Sequence, residues 1–419
     1  MPARYDLVLR NARLESGETV DVAVSGGRIA ARGPSLAARG ADEIDADGRL
    51  LLPGMVDPHL HLDKALSREE VPEPPETLAA AIEASRRLKA GWSEEAIEAR
   101  AARAADMALR AGTTALRTHV DVDPYVELRG FRALRRVRER FRDRLRIQIV
   151  AFPQEGLGRD GRVEAMLGRA LEEGADAVGG IPAREPDPEA HIDRIFALAK
   201  AAGVDVDMHV DESDDPADLS IRDLARKTVA LGYRGRVVAG HCTSLAAVPA
   251  ALLDAVAAEV REAGISVVAL PSTNLYLQGR SDSPPVRRGI TRVRELLAAG
   301  VNVTYGSDNI RDPFCPFGNA RMLESGLLLA HAAYMGSPHD LATVVRMATW
   351  HAARALRLPD YGLEEGCRAD LVVLDADSVQ EALVGQARPL WVVARGRPVA
   401  GARAGSGRAG RPDDHGEDV

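Results

Sequence analysis

The sequence predicts an α/β fold, a (β/α)8 TIM barrel with a small β-sandwich domain built from both chain ends. Three observations predict it. Short apolar runs alternate with Ala-, Leu- and Arg-rich helical segments through the middle of the chain, the pattern of parallel β/α units. Matching β-rich stretches stand at the two ends. The length of 419 residues accommodates a barrel of about 250–300 residues together with an accessory domain.

Taken in order, residues 1–52 read as strands separated by Gly and Asp-Gly turns: YDLVLRNARL, VDVAVSGGRIAARG and ADEIDADGRLLLPG. Residues 53–360 carry eight strand candidates, GMVDPHLHLD, TTALRTHVDV, LRIQIVAFPQ, DAVGGIPAR, VDVDMHVDE, RVVAGHCTS, ISVVALPSTN and NVTYGSDN. Helix-like stretches such as 93–111, 162–174 and 188–202 lie between them. Residues 361–404 return to short β runs, CRADLVVLDAD and PLWVVARGRPVAGA, so the two ends are expected to complete one sheet assembly. The tail, 405–419, is Gly-, Asp- and Arg-rich with almost nothing to bury, and is expected to be disordered.

Composition narrows the function. A hydrophobic fraction of 46% and a charged fraction of 28% are those of an ordinary globular protein. The net charge of −8 comes from interspersed charges with no basic stripe, which argues against a nucleic-acid partner. No stretch approaches the roughly 18 apolar residues of a membrane span, and the N-terminus, MPARYDLVLRNARLESG, alternates where an export signal would be continuously apolar. Cys242, Cys315 and Cys367 show no CxxC spacing, so a disulfide framework or structural zinc is not indicated and a reducing, cytoplasmic setting is expected.

Polar or ionisable residues repeatedly follow the apolar runs, where a barrel builds its active site. His59 and His61 end the first strand candidate, and alternate residues of an extended chain face one side, so both imidazoles can reach one ion. HxH by itself equally describes two partly exposed loop histidines. His209 closes the apolar run of VDVDMHVDE and Asp308 that of NVTYGSDN. Placement at strand ends makes these four a three-histidine, one-aspartate set suited to Zn²⁺ or Fe²⁺.

At these residues the chain resembles the amidohydrolase superfamily, and within it the cytosine deaminase family. Besides HLHLD, the segments RTHVDVDP, IQIVAFPQEG, GADAVGGIPA, HVDESDD, LQGR with RRGITRV, and DYGLEEGCRADLVVL look like that family's blocks in the same order, over most of the chain. The resemblance implies that His59, His61, His209 and Asp308 are the metal ligands, the set that strand-end placement also selects. Binuclear relatives bridge two ions with a lysine at the fourth strand, which here reads AVGGIPAR. One divalent ion per subunit, Zn or Fe, is therefore expected.

The resemblance also implies catalytic roles. Glu212 aligns with the family's proton-shuttling glutamate and is assigned general acid. Considered alone, it lies in an acidic loop with Asp211, Asp214 and Asp215 and reads as a solvated charge. His241 ends the sixth strand candidate and resembles the histidine that polarises the metal-bound water. Asp308 can ligate the ion and also accept a proton from that water, whose pKa a divalent cation lowers to about 7. Gln154, with one acceptor and two donors, matches the carbonyl and N–H of a pyrimidine-like lactam and is expected to orient the ring. His119 fits either support for the ligands or plain strand packing.

Three departures bear on the substrate. Asn309 stands where the best-known cytosine deaminases carry a second aspartate, Phe314 replaces their tryptophan, and Lys64 replaces a hydroxyl residue. Asn309 and Phe314 are expected at the substrate, while Lys64 is expected to be solvated at the mouth. The predicted partner is a small heterocycle: an amino-substituted pyrimidine, triazine or related cyclic amidine, deaminated at the amino-bearing ring carbon. Alternatives are N-alkylaminotriazine hydrolysis, cyclic amide hydrolysis of the hydantoinase or dihydroorotase kind, and a barrel kept only as a scaffold. Family members commonly assemble, which leaves a homo-oligomer open.

Overall fold

Period-two patterning turns the first residues of the chain into strands. The computed structural model describes residues 4–402 except 72, 74, 76, 159 and 160, so the expectation for the tail, 405–419, lies outside the described residues. The chain opens with β1 (Arg4–Arg13), β2 (Thr19–Ser25), β3 (Arg28–Gly33), β4 (Arg39–Asp45) and β5 (Leu50–Pro53). It then enters the barrel strands β6 (Met55–Leu60), β7 (Thr113–Asp121), β8 (Arg146–Phe152), β9 (Ala177–Val178), β10 (Asp205–Val210), β11 (Val237–His241), β12 (Ser266–Ala269) and β13 (Asn302–Tyr305). The return segment supplies β14 (Leu371–Leu374), β15 (Pro389–Ala394) and β16 (Arg397–Ala400).

The terminal strands form one sheet in the order β16-β15-β14-β5-β1-β2-β3, and β4 also pairs with β1. The β5–β14 pairing joins the two chain ends antiparallel, Leu52 opposite Val372 and Leu51 opposite Val373. Alternation then sorts the side chains. Leu51, Leu371, Val373 and Val393 pack with Leu7, Leu9, Val22 and Val24 in the core of the small domain. Leu50, Leu52, Val372 and Val392 belong instead to the large core that includes the barrel helices. One apolar sheet face is thus used to seat the small domain on the barrel.

Strands β6 to β13 pair in sequence order, all parallel. The ring is closed by a parallel bridge between Leu60 and Asp308. There His61 N–H donates to Asp308 O at 3.1 Å and Asp308 N–H to His59 O at 2.8 Å. Barrel strands are covered on both faces, and every residue of β6, β7 and β10 is accordingly buried. The fourth strand is shorter than its apolar run suggests because Gly179 and Gly180 follow Val178 directly.

Helices lie near the predicted stretches: Glu94–Arg110, Arg162–Glu172 and Pro188–Ala202. Ser93 caps the first by accepting from Ala96 N–H. Asp187 caps the third, with Pro188 in its first turn and Gly203 at φ 70° ending it. Among the described residues, no helix is long and apolar enough to cross a membrane. Cys242, Cys315 and Cys367 are free thiols.

Candidate active site

The hydrogen bonds that close the barrel also assemble a cluster of histidines around Asp308. His59 and His61 leave the end of β6 on one side, Asp308 follows β13 against them, and His209 projects from β10. All four are at most 5% exposed. His61 Nε2 lies 3.2 Å from His209 Nε2. Asp308 Oδ1 lies 3.4 Å from His61 Nε2 and 3.6 Å from His59 Nε2. The His59 and His209 rings are 4.6 Å apart. Small residues make the room: a Cβ on Gly240 would stand 2.9 Å from His59 Cε1, and one on Gly306 would stand 2.5 Å from His59 O.

The backbone turns sharply at these strand ends. Asp308 has φ 56° and His241 has φ 70°, the left-handed region that non-glycine residues seldom occupy. Such strain persists where the surroundings impose it and commonly marks a working site.

The cluster is short of partners. Both ring nitrogens of His59, Nδ1 of His61 and His209, and Oδ2 of Asp308 are buried without a hydrogen bond. Each such group ordinarily costs about 1–3 kcal/mol, so their concentration in one place fits a cation that takes up the lone pairs. Burial, then neighbouring imidazoles, holds His59 and His209 well below the ordinary histidine range. Burial and the Lys64 ammonium do the same for His61. The rings are therefore neutral at pH 7, as ligation requires. Two overlapping sets, His59-His61-Asp308 and His59-His119-His209, keep their ligand atoms within 4.8 Å of one another.

Glu212 and His241 stand beside this set. The Glu212 side chain is 10% exposed, and its Oε1 is 3.4 Å from His241 Nδ1. Burial, then the Asp308 carboxylate, drives its pKa well above the usual carboxyl range. Asn274, on the helix Pro271–Leu277, places its Nδ2 3.0 Å from His241 Nδ1. With the amide donating, Nδ1 accepts and the ring proton sits on Nε2, which has no protein partner. Burial pushes His241 down to about 4. The acidic loop is less solvated than its composition suggests: Asp211 is 3% exposed. Its carboxylate accepts from Ser220 N–H at 2.8 Å and Ile221 N–H at 3.1 Å, satisfying a helix start.

Lys64 corrects the sequence expectation most clearly. It is 1% exposed, not solvated at the mouth. Its Nζ donates to Asp121 Oδ1 at 2.8 Å and to Gln154 Oε1 at 3.2 Å, and stands 5.2 Å from the Phe314 ring centre. The carboxylate that compensates it comes from the next strand, which the local sequence around Lys64 does not reveal. Asp121 also accepts from Lys89 Nζ at 3.0 Å, and Lys89 reaches Asp123 at 2.5 Å and Glu155 at 3.1 Å. Despite burial, Lys64 and Lys89 hold Asp121 far below the ordinary aspartate range.

Asn309 and Phe314 line the same pocket as His61, Lys64, Gln154, His209, Glu212, His241 and Asp308. Asn309 is already engaged on both sides. Its Nδ2 donates to Asp312 Oδ2 at 2.7 Å, and its Oδ1 accepts from Thr273 at 3.3 Å. The expected site residues therefore converge, with Asn309 braced by the loop that carries Phe314.

His119 lies inside the barrel with its ring 4.0 Å from that of His59. Its Nε2 is 3.1 Å from Asp207 Oδ1, and Arg117 donates to Asp207 Oδ2 at 2.9 Å. His119 was weighed from the sequence, but its partners Arg117 and Asp207, together with Lys89, Asp123, Asn274 and Asp312, escaped sequence reasoning. One signal was available: Arg117, His119 and Asp121 recur at period two along one strand, which turns all three to the same side.

A barrel whose strand ends gather histidines and an aspartate defines a metal-dependent hydrolase, and relatives agree. Residues 42–400 match the Amidohydrolase family. The chain belongs to the amidohydrolase family, metal-dependent hydrolases acting on carbon–nitrogen bonds. It is 36% identical over 406 residues to N-isopropylammelide isopropyl amidohydrolase of Pseudomonas sp. (strain ADP), covering 95% of this chain and 98% of the relative. Pterin deaminase of Rhizobium rhizogenes is 36% identical over 335 residues, 78% of this chain and 75% of that protein. The crystal structure of 5-methylcytosine deaminase from Klebsiella pneumoniae liganded with 5-fluorocytosine superposes with a TM-score of 0.90 at 36% identity, covering 96% of this chain and 99% of that one.

Proposed function

We propose that this chain is a hydrolytic deaminase that removes an amino group from a ring carbon of a small nitrogen heterocycle, using one zinc or iron ion held by His59, His61, His209 and Asp308. The observation that carries the reading is the placement of Glu212, a carboxyl only 10% exposed with its Oε1 3.4 Å from His241 Nδ1, in the same pocket as His61, His209 and Asp308. A bound divalent ion supplies Lewis acidity and lowers the pKa of water to about 7.

The chain's own residues supply the rest. Asp308 Oδ2, which lacks a protein partner, takes a proton from the attacking water. Glu212 gives its proton to the ring nitrogen beside the attacked carbon, then takes the proton of the added hydroxyl and passes it to the amine as the carbon–nitrogen bond breaks and a ring carbonyl forms; the proton held by Asp308 returns to Glu212. His241, neutral with its proton on Nε2, donates a hydrogen bond to the oxygen being added. Gln154, held by Lys64, orients the ring. Support for a single ion comes from the fourth strand end. Cβ atoms on Gly179 and Gly180 would lie 2.8 Å from Phe152 and 2.7 Å from His191, so no side chain fits there to bridge a second ion.

A second reading, release of an alkylamine from an aminotriazine, is favoured by the 95% coverage of this chain by the N-isopropylammelide enzyme. Both readings break a bond between nitrogen and a ring carbon. A screen of aminopyrimidines, pterins, aminotriazines and N-alkylaminotriazines with the Fe²⁺, Zn²⁺ and Mn²⁺ forms tests them by the amine released. Cyclic amide hydrolysis would instead add water to the product mass without amine release. Glu212→Gln is expected to keep its metal and lose about 10²–10⁴ in turnover. Near-normal turnover in that variant overturns the assignment.

A further inference from the structure

We infer that Arg287 is a positioning residue for the acid: it clasps the loop that carries Glu212 and so sets where that carboxyl stands, which rests on the deaminase reading for what Glu212 does. The clasp joins two blocks that lie far apart in sequence, HVDESDD and LQGR with RRGITRV. Glu212 has little of its own to hold it. Among the described residues, the only hydrogen-bonding or ion-pairing partner of its carboxyl is His241 Nδ1 at 3.4 Å, and that nitrogen already takes the Asn274 amide at 3.0 Å. Its place is set instead by the backbone on either side. Upstream, Asp211 O accepts from Thr243 N–H at 3.0 Å and Ser244 N–H at 3.2 Å. Directly after Glu212, Ser213 N–H donates to Thr243 Oγ1 at 3.0 Å.

Downstream, the grip comes from a different part of the barrel rim. Asp214 Oδ2 accepts from Gly279 N–H at 2.9 Å, and Asp214 O accepts from Arg287 Nη1. Arg287 is in turn anchored on Asp282, which accepts from its Nε at 2.7 Å, from its backbone N–H at 3.1 Å and from its Nη2. A planar guanidinium can hold a carboxylate with one edge and a carbonyl with the other, which an ammonium on a flexible stem cannot do. Two glycines let this segment fold back so closely. A Cβ on Gly279, at φ 73°, would stand 3.1 Å from Arg287 O, and one on Gly289, at φ 68°, would stand 2.6 Å from Gln278 Cβ and 3.3 Å from Asn274 O. The segment that grips Asp214 therefore also packs on Asn274, which holds His241. None of Asp214, Asp282 and Arg287 lines the pocket that contains Glu212. Their side chains are 28%, 13% and 25% exposed, so breaking the clasp costs the fold little.

The test compares metal-loaded Arg287→Ala and Arg287→Lys with the native protein, on the ring hydrolysed fastest in the amine-release screen. Both variants are expected to lose at least about tenfold in kcat with KM within about threefold, because the clasp serves proton transfer and does not touch the ring. Ethylguanidinium added to Arg287→Ala is expected to recover several-fold of the lost kcat. Amide hydrogen exchange should quicken at least about fivefold in residues 210–219, with bound metal and Tm unchanged. Should Arg287→Ala not fold, Arg287→Lys, which keeps the charge but not the fork, decides by kcat, KM and exchange. A kcat within about twofold of native in either variant, a loss carried by KM alone, or exchange that quickens equally across the barrel overturns the inference. If no ring is hydrolysed, or Glu212→Gln turns over normally, while exchange in 210–219 still quickens, the deaminase reading fails and the clasp stands. If Glu212→Gln is slow while Arg287→Ala matches the native protein in turnover and exchange, the reverse follows.

Discussion

Gly240→Ala should dislodge a metal ligand without touching one. Gly240 lies on β11, and a Cβ there would stand 2.9 Å from His59 Cε1 and 3.0 Å from His59 Nδ1. Carbon contacts settle at about 3.5–4.0 Å, so the imidazole must retreat by roughly half an ångström or more. It has nowhere to go. Behind it, His59 O and Cβ already close on Gly306, where a Cβ would meet them at 2.5 and 3.1 Å. The His119 ring blocks another side at 4.0 Å. Ligation tolerates displacements of only about 0.2 Å, so the added methyl disturbs the site by more than twice that. Overpacking should cost about 1–3 kcal/mol of stability, and metal affinity should fall about 10–100-fold, as when ligand orientation is disturbed. Chelator competition with metal analysis measures the second effect, and thermal unfolding the first. A variant that retains metal against chelator like the native protein, at an unchanged Tm, would refute the placement of His59 in the ligand set.

Two further outcomes concern the charge network and the loop beneath the pocket. Lys89→Met leaves Asp121, Asp123 and Glu155 facing one cation fewer in a buried setting. It should destabilise the fold by about 3–5 kcal/mol in urea unfolding, and a loss below about 1 kcal/mol would show those acids to be hydrated. Asp312, fully buried, is pushed up to about 7 by burial, against the opposing hydrogen bond from Asn309. A carboxyl whose folded pKa is raised contributes stability that is complete below its unfolded value of about 3.9 and is lost as pH rises through about 7. The stability difference between the native protein and Asp312→Asn should therefore move against the native protein from pH 5 to pH 8. A pH-independent difference would contradict the burial of that charge.

Much of the fold was legible because barrel strands are buried on both faces and read as apolar runs, while their connections read as helices. His59 and His61 were legible for a local reason, since two residues apart on one strand means one side. Glu212, His241 and Gln154 stood out through resemblance to a family pattern, and the pocket brings them together with Phe314. Lys64 shows where this stopped. In sequence it is a cation after HLHLD, and nothing within ten residues of it reveals the Asp121 and Gln154 that let it be buried.

By itself, then, the sequence determined which residues sit at strand ends and which way alternate side chains face, because both follow from backbone geometry that repeats every two residues. Only the tertiary structure decided which of those ends meet. The closing bonds between β6 and β13 bring Asp308 to His59 and His61. Neighbouring strands bring Asp121 to Lys64, and a helix outside the ring brings Lys89 to the other oxygen of the same carboxylate. The physical reason is that ligation and charge pairing act over about 2–4 Å in space, and the chain separating the partners leaves no periodic trace of that approach.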